Sequence, residues 1–250
     1  MTKPDRRLMN ELAALGPFFA VDRHDRGERP EAPWRAMADL AEPGAALSDR
    51  VDKVRAALAA GARRDPREVD PRVAVSVAHL GLVARLIAPA IGAAALGRGQ
   101  VPMVADRLWW QDELGGPFPL SVALGEPESE TIQPGTGWLS GSAVEGITIA
   151  CRRAFAVSGR VLWGNVASAA NSAAAMIGRS RPDLAPAARA AADAVLADVR
   201  VEGGRMRAGD GFRRRSCCLI YRLADSSAAV CGDCVLGAPT ESPPEDNSTA

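Results

Sequence analysis

The sequence has no excess of charge of either sign and no long apolar run, and we expect no export signal. Thirty basic residues balance thirty acidic ones, so no general field attracts nucleic acid or an anionic membrane, and we expect no nucleic-acid partner. The N-terminal stretch carries charges on both sides of a short amphipathic segment, without the apolar core of an export signal. The longest uncharged stretch, between Arg160 and Arg179, is too polar to cross a bilayer. Its polar residues include Asn165, Ser168, Asn171 and Ser172.

Cysteine is nearly absent before the C-terminal region, which holds four of the five cysteines. These four are Cys217, Cys218, Cys231 and Cys234. An odd total with four members close together is typical of a metal or redox site in a reducing compartment, and not of a disulfide framework. We therefore expect a cytoplasmic protein, either free or peripheral to the inner face of the membrane.

The four cysteines form two pairs with different spacing. Cys231 and Cys234 are a Cys-x-x-Cys pair, whose two-residue spacer lets both sulfurs face one metal site. Cys217 and Cys218 are adjacent, and in an extended backbone they point to opposite sides, so one tetrahedral zinc requires a strained turn. A [2Fe-2S] cluster divides the four thiolates between two bridged irons, so the ligands can lie farther apart than around one zinc ion. The spacing therefore favours a [2Fe-2S] cluster, with a structural zinc as the alternative.

The rest of the chain predicts an α+β fold, with a predominantly helical body and a few short strands. Apolar residues at steps of three and four predict a core helix over 71–97, which Pro89 kinks or divides. Further helices are predicted at 4–15, 138–156, 164–178 and 183–200, and strands at 101–110 and 117–125. Helical structure is also predicted over 31–60, broken by Pro30, Pro33 and the Glu42-Pro43-Gly44 stretch. Asp183 and Asn165 are expected to cap the helices that follow them.

Glycine and proline patterns predict the domain organisation. The helical body is predicted over 1–204, because glycines at 203–204 and 209–211 loosen the chain before the cysteines. The metal-binding segment is then 205–237. The proline-rich and acidic stretch 238–250 is typical of a disordered tail.

The stretch RRRSCCLIYRLADSSAAVCGDCVL, from Arg213 to Leu236, resembles the C-terminal signature of the siderophore-iron reductase family of FhuF type. In that family a Cys-Cys pair followed by a Cys-x-x-Cys pair binds a [2Fe-2S] cluster. Three earlier stretches are also similar in kind and order, so the resemblance covers roughly two thirds of the chain. They are 71–97, 105–120 and 160–170. The spacer between the two pairs is twelve residues here, longer than is typical of the family, and the extra residues fall in the polar turn 224–229.

The resemblance implies a ferric-siderophore reductase, which transfers one electron to Fe(III) and releases Fe(II) in the cytosol. Hard hydroxamate or catecholate oxygens hold Fe(III) far better than Fe(II), so one electron weakens the complex. The implied partners are a ferric siderophore that faces the helical body, an electron donor that is a protein or a small reductant, and a transiently contacted uptake complex at the membrane. The alternative is a non-catalytic siderophore-binding or iron-trafficking protein with zinc at the four cysteines.

Four arginines flank the cysteines and are expected to tune the cluster potential or to attract an anionic complex. One charge about 8 Å away, at an effective dielectric constant of about 20, contributes roughly 2 kcal/mol, or about 90 mV for one electron. A solvated basic face is the alternative, since salt screens such charges. These residues are Arg213, Arg214, Arg215 and Arg222.

The remaining residues that could have a chemical role are two tryptophans, a fifth cysteine, two histidines and a glycine-rich loop. Trp109 and Trp110 are candidates for an aromatic platform that contacts a bulky chelate, with core packing as the alternative. Cys151 lies on an apolar helical face and is expected to be buried, and His24 and His79 lack acidic neighbours in a ligand-like pattern. The glycine-rich loop 135–141 follows a poor strand, so no dinucleotide site is expected and the electrons come from another molecule.

Overall fold

The structure is a computed structural model, and it describes residues 3–98, 101–123, 137–223 and 231–236. The described chain is α+β, as the sequence predicts, with six helices and a small mixed sheet. The helices are α1 (Lys3–Ala14), α2 (Ala45–Ala62), α3 (Pro71–Ala95), α4 (Ala143–Ala154), α5 (Gly159–Ser180) and α6 (Ala185–Leu196). The strands are β1 (Asp22–His24), β2 (Arg35–Ala36), β3 (Leu108–Trp110) and β4 (Leu120–Ala123). The predicted tail 238–250, the turn 224–229 and the start of the glycine-rich loop, 135–136, lie outside the described residues.

The helix α3 is the centre of the fold, because α2, α4, α5 and α6 all pack against it. Asp70 begins the helix by accepting a hydrogen bond from the Arg72 N–H at 2.9 Å. The helix continues past Pro89 to Ala95, so the proline does not divide it. Its length and hydropathy would suit a membrane span, but 78% of that window is buried inside the fold. It is therefore placed as a core helix.

The four strands form one sheet in the order β1-β4-β3-β2, in which β1 is parallel to β4 and the other pairs are antiparallel. Arg85 of α3 attaches this sheet to the core helix. Its guanidinium donates to the carbonyl oxygens of Phe118, Phe18 and Ala20 at 2.7, 3.0 and 2.5 Å. Burial lowers the pKa of Arg85 to about 10, and the three carbonyls compensate part of the cost of burying the charge.

Most of the predicted elements are confirmed, with ends that differ by up to five residues, except that β3 begins seven residues after the predicted strand start at 101. The helical prediction for 31–60 is wrong before the predicted break at 42–44, where Arg35–Ala36 is a strand, whereas after that break α2 begins at Ala45. There Arg35 pairs with Trp110 and Ala36 with Trp109. A strand this short is too brief to show an alternating pattern, so tertiary pairing decides the structure.

Both predicted helix caps are wrong. Asp183 lies in the 3-10 turn Pro182–Leu184 and forms an ion pair with Arg181 at 2.6 Å, and α6 begins after that turn. The helix α5 begins earlier than predicted, because the Ser158 hydroxyl accepts a hydrogen bond from the Arg160 N–H at 3.2 Å. Asn165 is therefore inside α5 and buried, where it takes part in the candidate site.

Candidate metal centre

The C-terminal segment brings cysteines from both pairs together. The sulfur atoms of Cys218 and Cys231 are 3.5 Å apart, and the Cys217 thiol is close enough to those of Cys218 and Cys234 to sense their charge. Cys218 and Cys234 are buried, whereas Cys217 and Cys231 are partly exposed. The site therefore has one side inside the protein and one side toward solvent.

Backbone groups next to the cysteines point at their sulfur atoms. The Leu219 N–H donates to Cys217 Sγ and the Leu236 N–H donates to Cys234 Sγ, each at 3.3 Å. Leu219 has a φ of 69°, so the chain turns sharply directly after the adjacent pair. Such N–H donors stabilise thiolate charge, as they do around iron–sulfur clusters.

Burial, and then the neighbouring thiols, raise the pKa of Cys217 and Cys231. For Cys231 the main cause is burial, followed by the charge of Cys218. For Cys217 burial again acts first and the neighbouring thiols add to it, while the positive charge of Arg214 acts in the opposite direction. Thiolates this close repel each other unless they share a cation, so the donor set fits a thiophilic metal centre. Within the described ranges, no three His, Cys, Asp or Glu side chains have the arrangement of a single-ion site.

Arg214 is the deeply buried member of the four predicted arginines, with 1% of its surface exposed. Its Nη2 donates to Asn165 Oδ1 at 2.8 Å, and its backbone N–H donates to the Asp233 carbonyl at 3.0 Å. Its Nε and Nη1 atoms have no hydrogen-bond partner in the described chain. A buried cation in this state needs negative charge nearby, and metal-bound thiolates beside it would supply that charge.

Asn165 connects Arg214 to the core helix by hydrogen bonds on both sides of its amide group. Because its Oδ1 faces Arg214, its Nδ2 donates to the Ser76 carbonyl at 2.9 Å and approaches His79 Nδ1 at 3.4 Å. His79 Nδ1 is then the acceptor, and Nε2 donates to Thr148 Oγ1 at 2.9 Å. Burial, and then the charge of Arg214, lower the pKa of His79 to about 3. The imidazole is therefore neutral at physiological pH.

Two acidic residues hold the segment that carries the clustered cysteines, residues 213–236, which we call the cysteine segment. The Ser168 hydroxyl of α5 donates to the Asp233 carboxylate, which lies between Cys231 and Cys234. Glu202 accepts hydrogen bonds from the Arg215 N–H at 2.7 Å and from the Ser216 hydroxyl at 2.8 Å. These contacts fix the chain on either side of the cysteines.

Gly164 of α5 leaves the space that this arrangement needs. A Cβ atom at this position would lie 1.9 Å from Ser216 Oγ, 2.9 Å from Glu202 Oε1 and 3.2 Å from Arg214 Nη2. Sequence reasoning missed these roles of Gly164, Ser168 and Glu202. A partial signal was present, because polar residues in an otherwise apolar helix need partners.

The other three arginines lie nearer the surface. Arg213 donates to the Cys234 carbonyl at 3.3 Å, and Arg215 is exposed. Arg222 is also exposed and donates to the Asp70 carboxylate at 2.6 Å. This contact ties the C-terminal segment to the beginning of α3.

Trp109 and Trp110 do not form a joint aromatic platform. Trp110 is completely buried, and it packs against the Phe118 ring at 5.6 Å and under the Arg50 guanidinium at 5.5 Å. Trp110 therefore follows the core-packing alternative and not the platform, because β3 places it in the interior. Trp109 is half-buried in the same strand. Within the described chain, neither ring has a hydrogen bond or ring contact to the cysteine segment.

Cys151 and His24, for which we expect structural roles, are both buried. Cys151 is fully buried in α4, and burial raises the pKa of its thiol to about 12. His24 is buried and its Nδ1 lies 2.8 Å from Ser121 Oγ. Burial also lowers the pKa of His24.

Comparison with known families supports the identity of the C-terminal segment. Residues 214–236 match the family model described as the FhuF 2Fe-2S C-terminal domain. The match is short, but it includes all four clustered cysteines and Arg214. The segment is thus similar to an iron–sulfur domain, and this short match supports a FhuF-like siderophore-iron reductase family assignment. The chain matches no curated protein and no solved structure.

Proposed function

We propose that this protein is a cytoplasmic ferric-siderophore reductase that transfers one electron to Fe(III) and releases Fe(II). The supporting observation is the gathering of cysteine thiols beside a buried, partly unpaired arginine, within the segment that matches an iron–sulfur family model. A [2Fe-2S] cluster bound there supplies one-electron chemistry. The reduction of Fe(III) to Fe(II) in the substrate also takes one electron.

The side chains have distinct roles in this proposal. Cys217, Cys218, Cys231 and Cys234 are the proposed ligands. Arg214 provides buried positive charge beside Cys217, and Asn165 holds its guanidinium in place. Cys217 and Cys231 are partly exposed, so a bulky ferric chelate can approach this side.

The substrate and the electron donor are separate partners. Fe(III) held by hard oxygen donors accepts one electron, and the resulting Fe(II) is held less well and dissociates. The electron comes from another protein or a small reductant, because the sequence has no convincing dinucleotide fingerprint. We include transient contact with an uptake complex at the inner membrane face in the proposal.

The test compares Cys231→Ser with Cys151→Ser in protein purified without oxygen. Wild-type protein and Cys151→Ser should absorb visible light, bleach with dithionite and release Fe(II) from a ferric siderophore into a ferrous chelator. Cys231→Ser should lose the absorbance and the iron release while its helical circular dichroism persists. Near-normal turnover of Cys231→Ser contradicts the assignment. One zinc and no acid-labile sulfide in the wild type would instead support the non-catalytic alternative.

A further inference from the structure

The four clustered cysteines can divide between two irons in three ways, and the positions of their sulfur atoms distinguish these ways. Each iron of a [2Fe-2S] cluster takes two of the four thiolates in a tetrahedral arrangement. With metal–sulfur bonds of about 2.3 Å, two thiolates on one tetrahedral ion lie about 3.8 Å apart. Thiolates on different irons lie farther apart, because the bridging sulfides separate the two metals. Two sulfur atoms in close contact therefore indicate two ligands of one iron.

Cys218 and Cys231 meet this condition, since their sulfur atoms are 3.5 Å apart. They come from different motifs, the adjacent pair and the Cys-x-x-Cys pair. Cys217 and Cys234 then remain for the other iron, and the Cys217 thiol is close enough to Cys234 to sense its charge. The exposures agree with this division, because each pair combines one buried and one partly exposed cysteine. Each iron is thus expected to connect the two motifs.

Hydrogen-bond donors make the two pairs of sulfur atoms unequal. The Leu219 N–H donates to Cys217 Sγ and the Leu236 N–H donates to Cys234 Sγ, each at 3.3 Å. The sulfur atoms of the other pair accept no N–H within the parts of the chain that the structure describes. Because N–H donors stabilise negative charge on sulfur, they favour the reduced state of the iron that they surround. The iron of Cys217 and Cys234 therefore has the better surroundings for an added electron.

Charged side chains increase this difference. The guanidinium of Arg214 is buried, and its positive charge acts on the Cys217 thiol. The carboxylate of Asp233 instead acts on the Cys231 thiol by its negative charge. It accepts a hydrogen bond from the Ser168 hydroxyl, which is a neutral donor and does not cancel that charge. Both effects favour an added electron beside Cys217 and disfavour one beside Cys231.

We propose that each iron takes one cysteine from each motif and that only one of the two irons receives the electron. Cys218 and Cys231 hold the iron that stays Fe(III). Cys217 and Cys234 hold the iron that changes from Fe(III) to Fe(II), while the donor is oxidised by one electron. No covalent bond breaks and no proton moves in this step. The inference depends on the proposed function, because it requires a two-iron cluster that carries one electron.

Leucine labelling tests the pairing, because both N–H donors are leucine amides. The full-length protein is produced with ¹⁵N-leucine, purified without oxygen and reduced with dithionite. Pulsed electron paramagnetic resonance then measures the coupling of each ¹⁵N nucleus to the cluster spin. The spins of Fe(III) and Fe(II) are antiparallel in the reduced cluster, so the Leu219 and Leu236 couplings should have the same sign and similar size if their cysteines share an iron. Couplings of opposite sign and unequal size overturn the pairing.

Leu219→Met and Leu236→Met are the matched controls for this measurement. Each keeps the backbone N–H and the metal ligands but removes one labelled nitrogen. Each should lose one of the two couplings and leave the other unchanged. If both couplings persist in both variants, these amides are not the donors and the proposal is overturned.

Mössbauer spectra of the dithionite-reduced, ⁵⁷Fe-enriched protein test which iron receives the electron, because Fe(II) and Fe(III) give separate signals. Arg214→Gln should change mainly the Fe(II) signal, and Asp233→Asn should change mainly the Fe(III) signal. Arg222→Gln should change neither, since Arg222 is exposed and paired with Asp70. The reverse pattern overturns the assignment of the electron. If Arg214→Gln loses its iron, Asp233→Asn decides.

Failure of this inference differs from failure of the proposed function. A reduced protein with a clear paramagnetic resonance and leucine couplings of opposite sign keeps the function and refutes the pairing. A colourless protein that contains zinc and gives no resonance after dithionite refutes both. Neither measurement depends on siderophore turnover.

Discussion

At the residue scale, Arg214 joins the proposed metal centre to the protein interior. A buried guanidinium is costly when two of its nitrogen atoms lack partners. Asn165 and the Asp233 carbonyl position the residue without neutralising it. Negative charge on the cysteine ligands would offset this cost, and the reduced state of a cluster carries one negative charge more than the oxidised state. The placement of Arg214 therefore favours reduction.

Replacing Arg214 tests this electrostatic role. Arg214→Gln should lower the midpoint potential by tens of millivolts, with about 90 mV as the scale for a charge 8 Å away at an effective dielectric constant of about 20. Arg214→Lys keeps the charge and should shift the potential much less. The measurement is a redox titration followed by visible absorbance. Arg222→Gln is the control, because Arg222 is exposed and already paired with Asp70. Equal shifts in Arg214→Gln and Arg222→Gln would exclude a special role for the buried charge.

The low pKa of His79 in the folded protein predicts that the protein loses stability in mild acid. Its pKa is about 3 in the folded protein against 6.5 as the ordinary value, so the unfolded state binds more protons between these limits. Stability should therefore fall as pH falls below 6.5, by about 2 kcal/mol at pH 5 for this residue. Asp70, with a pKa of about 2, has the same sign but acts only below its ordinary value of 3.8.

Urea unfolding at pH 7 and pH 5 measures this effect. His79→Gln should be less stable than wild type at pH 7, because the contact with Thr148 changes, but it should lose less stability on acidification. The charge on His24 changes equally in both proteins and cancels in the comparison. If acidification to pH 5 destabilises the variant as much as the wild type, His79 is not the responsible group.

At the element scale, α5 shows what the sequence could and could not predict. The polar residues Asn165, Ser168 and Asn171 exclude a membrane span on sequence grounds, and the helix was placed correctly. The structure shows that all three contact the C-terminal region, through Arg214, Asp233 and Gly209. Their spacing of three residues puts them on one helical face. Sequence patterns find a helix and its polar face, but the partners of that face depend on tertiary packing.

Gly164 tests whether α5 holds the cysteine segment. Gly164→Ala places a methyl group 1.9 Å from Ser216 Oγ, so we expect destabilisation of about 1–3 kcal/mol and weaker retention of the metal centre. Gly61→Ala in α2 is the matched control, since its added Cβ meets nothing within 4 Å. That change should stabilise by about 0.5–1 kcal/mol through helix propensity. Unfolding curves and iron content provide the two measurements. A tolerated Gly164→Ala with full iron content would contradict the close packing.

At the scale of the whole molecule, the helical core and the cysteine segment are held together by different forces. The core is apolar and centred on α3, and Met206 and Phe212 from the C-terminal region join it. From Arg213 onward the attachment is mainly polar, through residues such as Asn165, Ser168 and Asp70. The sequence predicted the cysteine site because thiol spacing is a local signal, whereas this attachment depends on residues far apart in the chain. We retain the boundaries 1–204 and 205–237 as a proposal.

This difference predicts local unfolding when the metal is removed. Without metal, the charge of Arg214 is uncompensated and the crowded thiols no longer share a cation, so the polar attachment should weaken while the apolar core persists. Hydrogen exchange of the metal-loaded protein and of Cys231→Ser should therefore differ most at the Arg214 and Cys234 amides. These amides are bonded to the Asp233 and Cys231 carbonyls, each at 3.0 Å.

Amides in the middle of α3 serve as the internal reference, because they are buried in the core that does not depend on the metal. Their exchange should be nearly equal in the metal-loaded protein and in Cys231→Ser. Cys151→Ser should keep the metal and retain protection at the Arg214 and Cys234 amides. If α3 exchanges as rapidly as the cysteine segment in Cys231→Ser, then the metal supports folding of the whole chain, and the two parts are not separable. Protection that persists at Arg214 without metal would show that polar contacts with α5 alone hold the segment.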